Sequence, residues 1–264
     1  MIGGNTHTHS IKFLLLALVL GLFSCGTATA RNVVLEDARQ SFLYIQKTVT
    51  VKQCGDHRCF EQELNSMASA FVIKVIPAGS YGITAGHVCE INLPETNLPI
   101  IHTSVYTVTT LMGDEYKATV LVSDIKNDIC LIYIKNLVDV PVVKVSSVAP
   151  LPGDRVYNIA APRGIYQPNM VPMFEGIYNG KASLYAFYSL PASPGSSGPM
   201  IINEKGHLVG VLHSVYIKFP HVVLSARYDI IYEFIKKNII KYEAYRLMMG
   251  ILELEDVFSG VAEG

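Results

Sequence analysis

The chain of 264 residues is half apolar, is 16% charged and carries a formal net charge of -1. This composition excludes an intrinsically disordered chain and leaves enough residues for one large packed domain. A nearly neutral chain without a basic cluster has little electrostatic attraction for nucleic acid, so we expect no nucleic-acid partner.

The first 30 residues are predicted to be an export signal. Lys12 precedes an apolar run over residues 13–23, which is too short to span a bilayer comfortably, and residues 28–30 form an Ala-x-Ala cleavage pattern. Residues 22–25 also resemble a bacterial lipobox that would place a lipid on Cys25. We therefore expect a signal peptide over 1–30 and a secreted or periplasmic protein, which contacts a membrane only if Cys25 is lipidated.

Residues 31–65 are less regular and are expected to form an N-terminal extension, with a helix or a strand as the alternatives for the part before Cys54. Cys54 and Cys59 lie near its end and bracket a Gly-Asp turn, so a local disulfide between them is easy to close. Zinc is the alternative partner, but a single Cys pair is a weak metal signal, and we expect no metal. Cys89 and Cys130 can pair with each other or stay as buried thiols.

Strand-like apolar runs recur at short intervals from residue 66 onward, separated by Pro, Gly, Asn and Asp, as in a sheet closed into barrels or packed as a sandwich. After Ser225 the apolar spacing changes to that of a helix over about 228–249, and Gly250 offers a stop. We expect one domain over 66–250 and a tail over 251–264. The runs predicted as strands are 70–76, 104–111, 117–122, 129–134, 156–160, 200–203 and 208–212.

Three short polar motifs flank these runs. They are residues 83–88 around His87, residues 127–131 around Asp128 and residues 194–199 around Ser197. A serine hydroxyl is a poor nucleophile until an imidazole takes its proton and a carboxylate holds that imidazole in the useful tautomer. Strand ends and loops are where a rigid scaffold presents such groups, so the sequence supplies all the parts of a Ser-His-Asp triad.

The three motifs, in this order, resemble those of the trypsin-like serine proteases, in particular the simpler bacterial and viral ones. The resemblance covers about residues 66–237 and includes the Gly-x-Ser-Gly segment over 195–198. It implies an all-β fold of two packed six-stranded antiparallel β-barrels with a C-terminal α-helix.

The resemblance also implies the role of each residue and no cofactor. Ser197 would attack a peptide carbonyl, His87 would accept and then donate the proton, and Asp128 would orient the imidazole. The backbone N–H groups of Gly195 and Ser197 would form the oxyanion hole. The expected function is that of an exported serine endopeptidase acting on a protein or peptide substrate.

Substrate preference is less well defined by the sequence. Trypsin-like relatives that select Lys or Arg have a carboxylate six residues before the nucleophile, and here that position is Pro191. His213 is similar to the pocket histidine of glutamate-specific relatives but lies one position later. We expect cleavage after uncharged residues, with a glutamate preference as the minority alternative.

Two different functions are compatible with the same fold. One is that of a catalytically inactive binding protein, and the other is that of a virion-associated processing protein. The physiological substrate and the oligomeric state are left open by the sequence.

Overall fold

A computed structural model describes residues 33–54, 59–91, 100–193, 197–216, 219 and 221–259. The predicted export signal, Cys25 and Gly195 lie outside these residues. A helix over 33–40, here called α1, leads into the first strand. None of the described helices is both long enough and apolar enough to cross a lipid bilayer.

Six antiparallel strands close the first barrel in the order β1-β2-β3-β6-β5-β4. A short helix, α2, spans Gly86–Cys89 between β3 and β4. The strands are β1 Phe42–Cys54, β2 Cys59–Ile76, β3 Gly79–Thr84, β4 Ile100–Thr110, β5 Glu115–Asp124 and β6 Ile129–Lys135.

Six more strands close the second barrel in the order β10-β11-β12-β9-β8-β7. A 3-10 turn over Pro162–Gly164 follows its first strand, and helix α3 spans Tyr228–Ser259 after its last. The strands are β7 Arg155–Ile159, β8 Met173–Ala182, β9 Tyr185–Ser189, β10 Met200–Asn203, β11 Leu208–Val215 and β12 Val222–Ala226. The expected fold of two six-stranded barrels with a C-terminal helix is confirmed.

Two sequence boundaries differ from the structure. The segment 31–65 is not a separate extension, because β1 and the first half of β2 belong to the first barrel. Gly250 does not stop the last helix, since α3 continues to Ser259. A single glycine costs a helix only about 1 kcal/mol relative to alanine, so a helix can run through it.

The apolar core has three parts. One cluster fills the first barrel around Leu43 and Ile132, and another fills the second barrel around Val156 and Tyr188. A third and larger cluster contains buried residues of both barrels together with α1 and α3, including Phe71, Ile83, Met200, Leu208 and Phe234. The two barrels are therefore packed on a shared core, which fixes the position of one barrel relative to the other.

Candidate active site

His87 lies in α2, directly after the buried strand β3. The helix begins at Gly86, where a Cβ would lie 2.9 Å from the backbone nitrogen of Ile129 and 3.0 Å from the Cα of Asp128. Only glycine permits so close an approach of backbone to backbone. The sequence Ala-Gly-His thus brings the imidazole of His87 beside the start of β6.

Asp128 occupies the last position of a turn before β6. Its φ is 51°, a left-handed conformation that Asp adopts more readily than most residues. The turn is held by Asp124, whose carboxylate accepts hydrogen bonds from the backbone and side-chain nitrogens of Asn127. The chain then enters β6, which is buried from Ile129 to Ile132. A strongly held turn and a buried strand therefore fix the carboxylate at a strand end.

The structure brings His87 and Asp128 into direct contact. Nδ1 of His87 lies 2.9 Å and 2.8 Å from the two carboxylate oxygens, and the backbone N–H of His87 donates to Oδ1 at 2.7 Å. A carboxylate can only accept, so Nδ1 carries the proton and Nε2 of the neutral ring keeps its lone pair. The side chain of His87 is 42% exposed, whereas that of Asp128 is 19% exposed. The basic nitrogen, Nε2, therefore lies on His87, which is the more exposed residue of the pair.

His213 is a second imidazole beside the same carboxylate. Its Nδ1 lies 3.5 Å from Oδ2 of Asp128, which is too long for a strong hydrogen bond, and its side chain is only 9% exposed. Its Nε2 is buried without a hydrogen-bond partner among the described residues, and the ring of Tyr185 packs 5.5 Å away. His213 is therefore a buried neighbour of Asp128 and is less exposed than His87.

The pKa values of this group reflect burial and charge. Burial raises the pKa of the Asp128 carboxyl, but the hydrogen bonds from His87 and the electrostatic interactions with the His87 and His213 rings bring it below the ordinary value. Burial lowers the pKa of His213, and the opposing effect of Asp128 is too small to restore it. Asp128 is therefore ionised and His213 neutral at neutral pH.

The backbone of Ser197 is fixed from both barrels. Its carbonyl accepts a hydrogen bond from the N–H of Ser69 in β2 at 2.9 Å, and the N–H of Gly198 donates to Leu212 in β11 at 2.8 Å. Gly198 has a φ of +84°, and a Cβ at this position would overlap the Thr84 hydroxyl and the Ser69 carbonyl. The glycine after Ser197 is therefore required both by its conformation and by the space around it.

Ser197 and His87 line one groove of about 320 Å³. Its remaining wall comes mainly from β1 and β2 of the first barrel, including Lys47, Leu64 and Met67. Pro191, proposed for the substrate pocket, is exposed in the segment after β9 and is not part of this wall. His213 is likewise absent from the wall and contacts Asp128 instead.

The described residues include four of the five cysteines, and two disulfides pair all four of them. Cys54 bonds to Cys59 and closes the tip of the β1–β2 hairpin, as the sequence predicts. Cys89 bonds to Cys130, across a sequence separation of 41 residues. This second bond links the residue two positions after His87 to the residue two positions after Asp128. Within the described ranges, no three His, Cys, Asp or Glu side chains cluster as metal ligands.

Sequence reasoning did not find the groove along β1 and β2 or the contact between His213 and Asp128. The groove arises from strand pairing, so no single motif encodes it. The sequence does hold a weak signal for the contact between His213 and Asp128. His213 lies within an apolar strand-like run, and a buried imidazole there needs a polar partner.

Comparisons with known proteins agree with this description. The sequence model of a family described as a trypsin-like peptidase domain matches residues 68–211. No curated protein matches the sequence. One similar solved structure is that of the HtrA-type protease AlgW, a substituted form with a decapeptide. Its TM-score is 0.62 and its sequence identity is 18%, and the match covers 79% of this chain and 66% of that one. The serine endoprotease from Yersinia pestis is similar with a TM-score of 0.58 and 18% identity over 78% of this chain and 65% of that one. The match therefore spans about two thirds of each of these proteins, and it shows a shared fold.

Proposed function

The chain belongs to the trypsin-like peptidase family, and from this premise we propose that it is an exported serine endopeptidase that hydrolyses peptide bonds through an acyl-enzyme on Ser197. The observation that carries the proposal is the contact of Nδ1 of His87 with both oxygens of Asp128, beside the groove that His87 shares with Ser197.

The first half-reaction follows from the protonation states. Oγ of Ser197 attacks the substrate carbonyl carbon while Nε2 of His87 takes the hydroxyl proton, which gives a tetrahedral oxyanion and an imidazolium. Asp128, ionised and held by three contacts from His87, stabilises that imidazolium without accepting its proton. Collapse breaks the C–N bond, and His87 delivers the proton to the leaving amine.

The second half-reaction repeats these steps with water. His87 takes a proton from the water, whose oxygen attacks the ester carbon, and then returns that proton to Oγ of Ser197 as the acid product leaves. In both steps the N–H groups of Gly195 and Ser197 would bind the oxyanion. The hydrogen bonds from Ser69 to the Ser197 carbonyl and from Gly198 to Leu212 both hold the peptide that follows Ser197. They support this role because they fix the backbone next to the Ser197 N–H.

Two features support an extracytoplasmic location. Residues 1–30 have the pattern of an export signal, with lipidation at Cys25 as the alternative to simple cleavage. Disulfides such as Cys54–Cys59 and Cys89–Cys130 form and persist in oxidising compartments.

For the residue before the scissile bond, we propose an uncharged side chain. The segment 189–196 contains no acid, so a Lys or Arg side chain would be buried there without a partner. His213 contacts Asp128, so we favour a role in supporting this carboxylate over a role in binding a glutamate side chain of the substrate. A peptide-library digest with most cuts after Lys or Arg would contradict the proposal, and cuts after Glu that vanish in His213→Ala would favour the glutamate alternative.

Labelling with a fluorophosphonate probe tests the central claim. The mature protein is expected to be labelled at one serine, and Ser197→Ala is expected to abolish both labelling and peptide hydrolysis while leaving the circular-dichroism spectrum unchanged. Ser196→Ala is the matched control, because it removes a neighbouring hydroxyl and should keep both signals. If only Ser196→Ala abolished labelling, the nucleophile would be Ser196 and not Ser197. If the native protein were not labelled, the alternative of a catalytically inactive binding protein would be favoured.

A further inference from the structure

Helix α3 begins on the barrels and continues beyond them. Its first half packs on the shared core through buried residues such as Phe234, and an ion pair of 2.6 Å between Glu243 and Lys74 still holds it to the first barrel. Residues 244–249 are then all exposed. Six consecutive residues cover every side of a helix, so α3 is surrounded by solvent at this point.

The exposed part of α3 is rich in large apolar side chains. Tyr245, Leu247 and Met248 are each more than half exposed. A projecting helix of a few turns gains little stability from its own hydrogen bonds and depends on packing against another element. A contiguous apolar surface of this kind marks an interaction site. We therefore expect a partner to cover this part of the helix.

One face of α3 has the spacing of a coiled coil. From Ile240 onward, apolar residues recur at alternating steps of four and three, which is the spacing of the two apolar positions of a heptad repeat. The first three of these residues are exposed, so the barrels leave this face open. The six positions, hereafter the α3 seam, are Ile240, Ala244, Leu247, Ile251, Leu254 and Phe258.

The charges beside the seam identify its occupant. Basic residues lie in the part of α3 nearest the barrels, and acidic residues lie toward its end. An acidic end disfavours an anionic lipid surface and favours a helix with basic residues at the same level. A second copy of α3 in antiparallel orientation brings its basic part to that level. The basic residues are Lys236, Lys237 and Lys241, and the acidic ones are Glu253, Glu255 and Asp256.

Antiparallel pairing also matches the seam with itself. When Leu247 faces Ile251 of the second copy, the small Ala244 faces the larger Leu254, which lets the two helices interdigitate. The same register places Ile240 opposite Phe258. Each of these pairs occurs twice, because a two-fold axis relates the two copies.

The flanking charges distinguish the two possible orientations. In the antiparallel register Lys241 lies beside Glu255 of the second copy, which is a pair of opposite charges. Parallel pairing would place Lys236 beside Lys241 and would bring the two acidic ends together. Like charges at these positions disfavour the parallel dimer.

We propose that the protein forms a two-fold symmetric dimer in which the α3 seams of two copies pack in antiparallel orientation. The overlap from Ile240 to Phe258 covers about 27 Å of helix. The groove that His87 shares with Ser197 contains no residue of α3, so the pairing uses no part of the candidate active site.

Sedimentation equilibrium of the mature protein over a concentration series tests the dimer. The native protein is expected to reach twice the monomer mass and to dissociate on dilution. Leu247→Glu places a charge in the seam and should give a monomer. Met249→Glu is the matched control, because this exposed position lies on nearly the opposite side of the helix, and it should remain a dimer.

The near-ultraviolet circular dichroism of the tyrosines should be the same in both variants and the native protein, which checks that the barrels are folded. A native protein that is monomeric at every concentration would overturn the proposal. An equal loss of the dimer in Leu247→Glu and Met249→Glu would overturn it as well, since the seam would then not be the interface.

Charge reversal tests the orientation. Lys241→Glu should weaken the dimer by about ten-fold, because it turns two attractive contacts into repulsive ones. Lys241→Glu combined with Glu255→Lys should restore the native affinity. In a parallel dimer, Lys241→Glu would relieve the repulsion from Lys236 and tighten the dimer, and this result would overturn the antiparallel pairing.

Flotation with vesicles of phosphatidylethanolamine and phosphatidylglycerol separates a lipid surface from a second copy. The protein cleaved after Ala30 is expected to stay unbound. A monomeric protein that floats with the vesicles, and no longer does so in either glutamate variant, would assign the exposed part of α3 to a membrane surface and overturn the proposal.

Discussion

Removal of the Cys89–Cys130 disulfide should weaken the fold and the candidate site together. This bond ties α2, which carries His87, to β6, which follows Asp128. The double variant Cys89→Ala with Cys130→Ala removes it. The matched control is Cys54→Ala with Cys59→Ala, which removes the other disulfide from the hairpin tip.

The loss of stability follows from the length of chain that each disulfide closes. In the loop-entropy treatment, a separation of 41 residues corresponds to about 4 kcal/mol of the free energy of unfolding at 25 °C. A separation of 5 residues corresponds to about 2 kcal/mol. Cys130 is fully buried, so its truncation also removes core contacts, whereas Cys59 is exposed. We expect the central pair to cost at least twice as much as the pair at the tip.

Urea denaturation of both double variants, followed by circular dichroism because the chain has no Trp, gives the two free energies. On a short peptide, kcat is expected to fall about ten-fold in the central variant, because His87 loses its covalent anchor, and to stay unchanged in the tip variant. Equal losses of stability in the two variants, or an unchanged kcat in the central variant, would contradict the prediction that this disulfide holds both the fold and His87 in place.

Two further predictions concern single residues. Gly198→Ala forces a left-handed φ on alanine and a clash with Ser69, so the melting temperature should fall by several degrees, and fluorophosphonate labelling should fall more than in a surface control such as Glu204→Ala. The pKa of His213 is lowered from the ordinary histidine value of 6.5 in the native state. As the pH falls below 6.5, the unfolded chain therefore binds a proton that the native state does not, and the free energy of unfolding decreases. The carboxyl of Asp128, whose pKa is also lowered, loses its contribution to stability only in more acidic solution. His213→Asn should therefore flatten the dependence of the free energy of unfolding on pH between about pH 6.5 and 5. An unchanged slope in urea titrations of this variant would contradict the prediction.

The sequence predicts the fold class well because each barrel strand leaves a local signature. Runs such as 129–134 and 200–203 are apolar and bounded by turn residues, and each lies within or coincides with a strand of the structure. The sequence leaves β1 undecided between a helix and a strand and does not predict the outer part of β2. Their exposed residues, among them Lys52, Glu61 and Glu63, resemble an irregular surface segment. Their strand character comes from pairing over a long hairpin, which is not a local property.

The candidate site divides in the same way. His87 and Asp128 could be paired from the sequence because family resemblance supplies the relation between two segments 41 residues apart. The Cys89–Cys130 bond could not be decided, since spacing alone leaves both a disulfide and two thiols possible. The place of His213 depends on the side to which β11 turns at the irregularity between Leu212 and Ser214, which no periodicity indicates.

One buried residue explains how groups on two barrels can meet at one site. Ser69, fully buried in β2, donates its N–H to the carbonyl of Ser197, accepts the Thr84 hydroxyl on its own carbonyl at 2.8 Å, and accepts the N–H of Ala161 from the second barrel on its hydroxyl at 3.1 Å. Its three polar groups therefore join the end of the strand before His87, the backbone of the proposed nucleophile and the start of the second barrel. Because an unpaired buried polar group is costly, no one of these contacts can be lost cheaply. Ser69 therefore ties the backbone position of Ser197 to the packing of the two barrels.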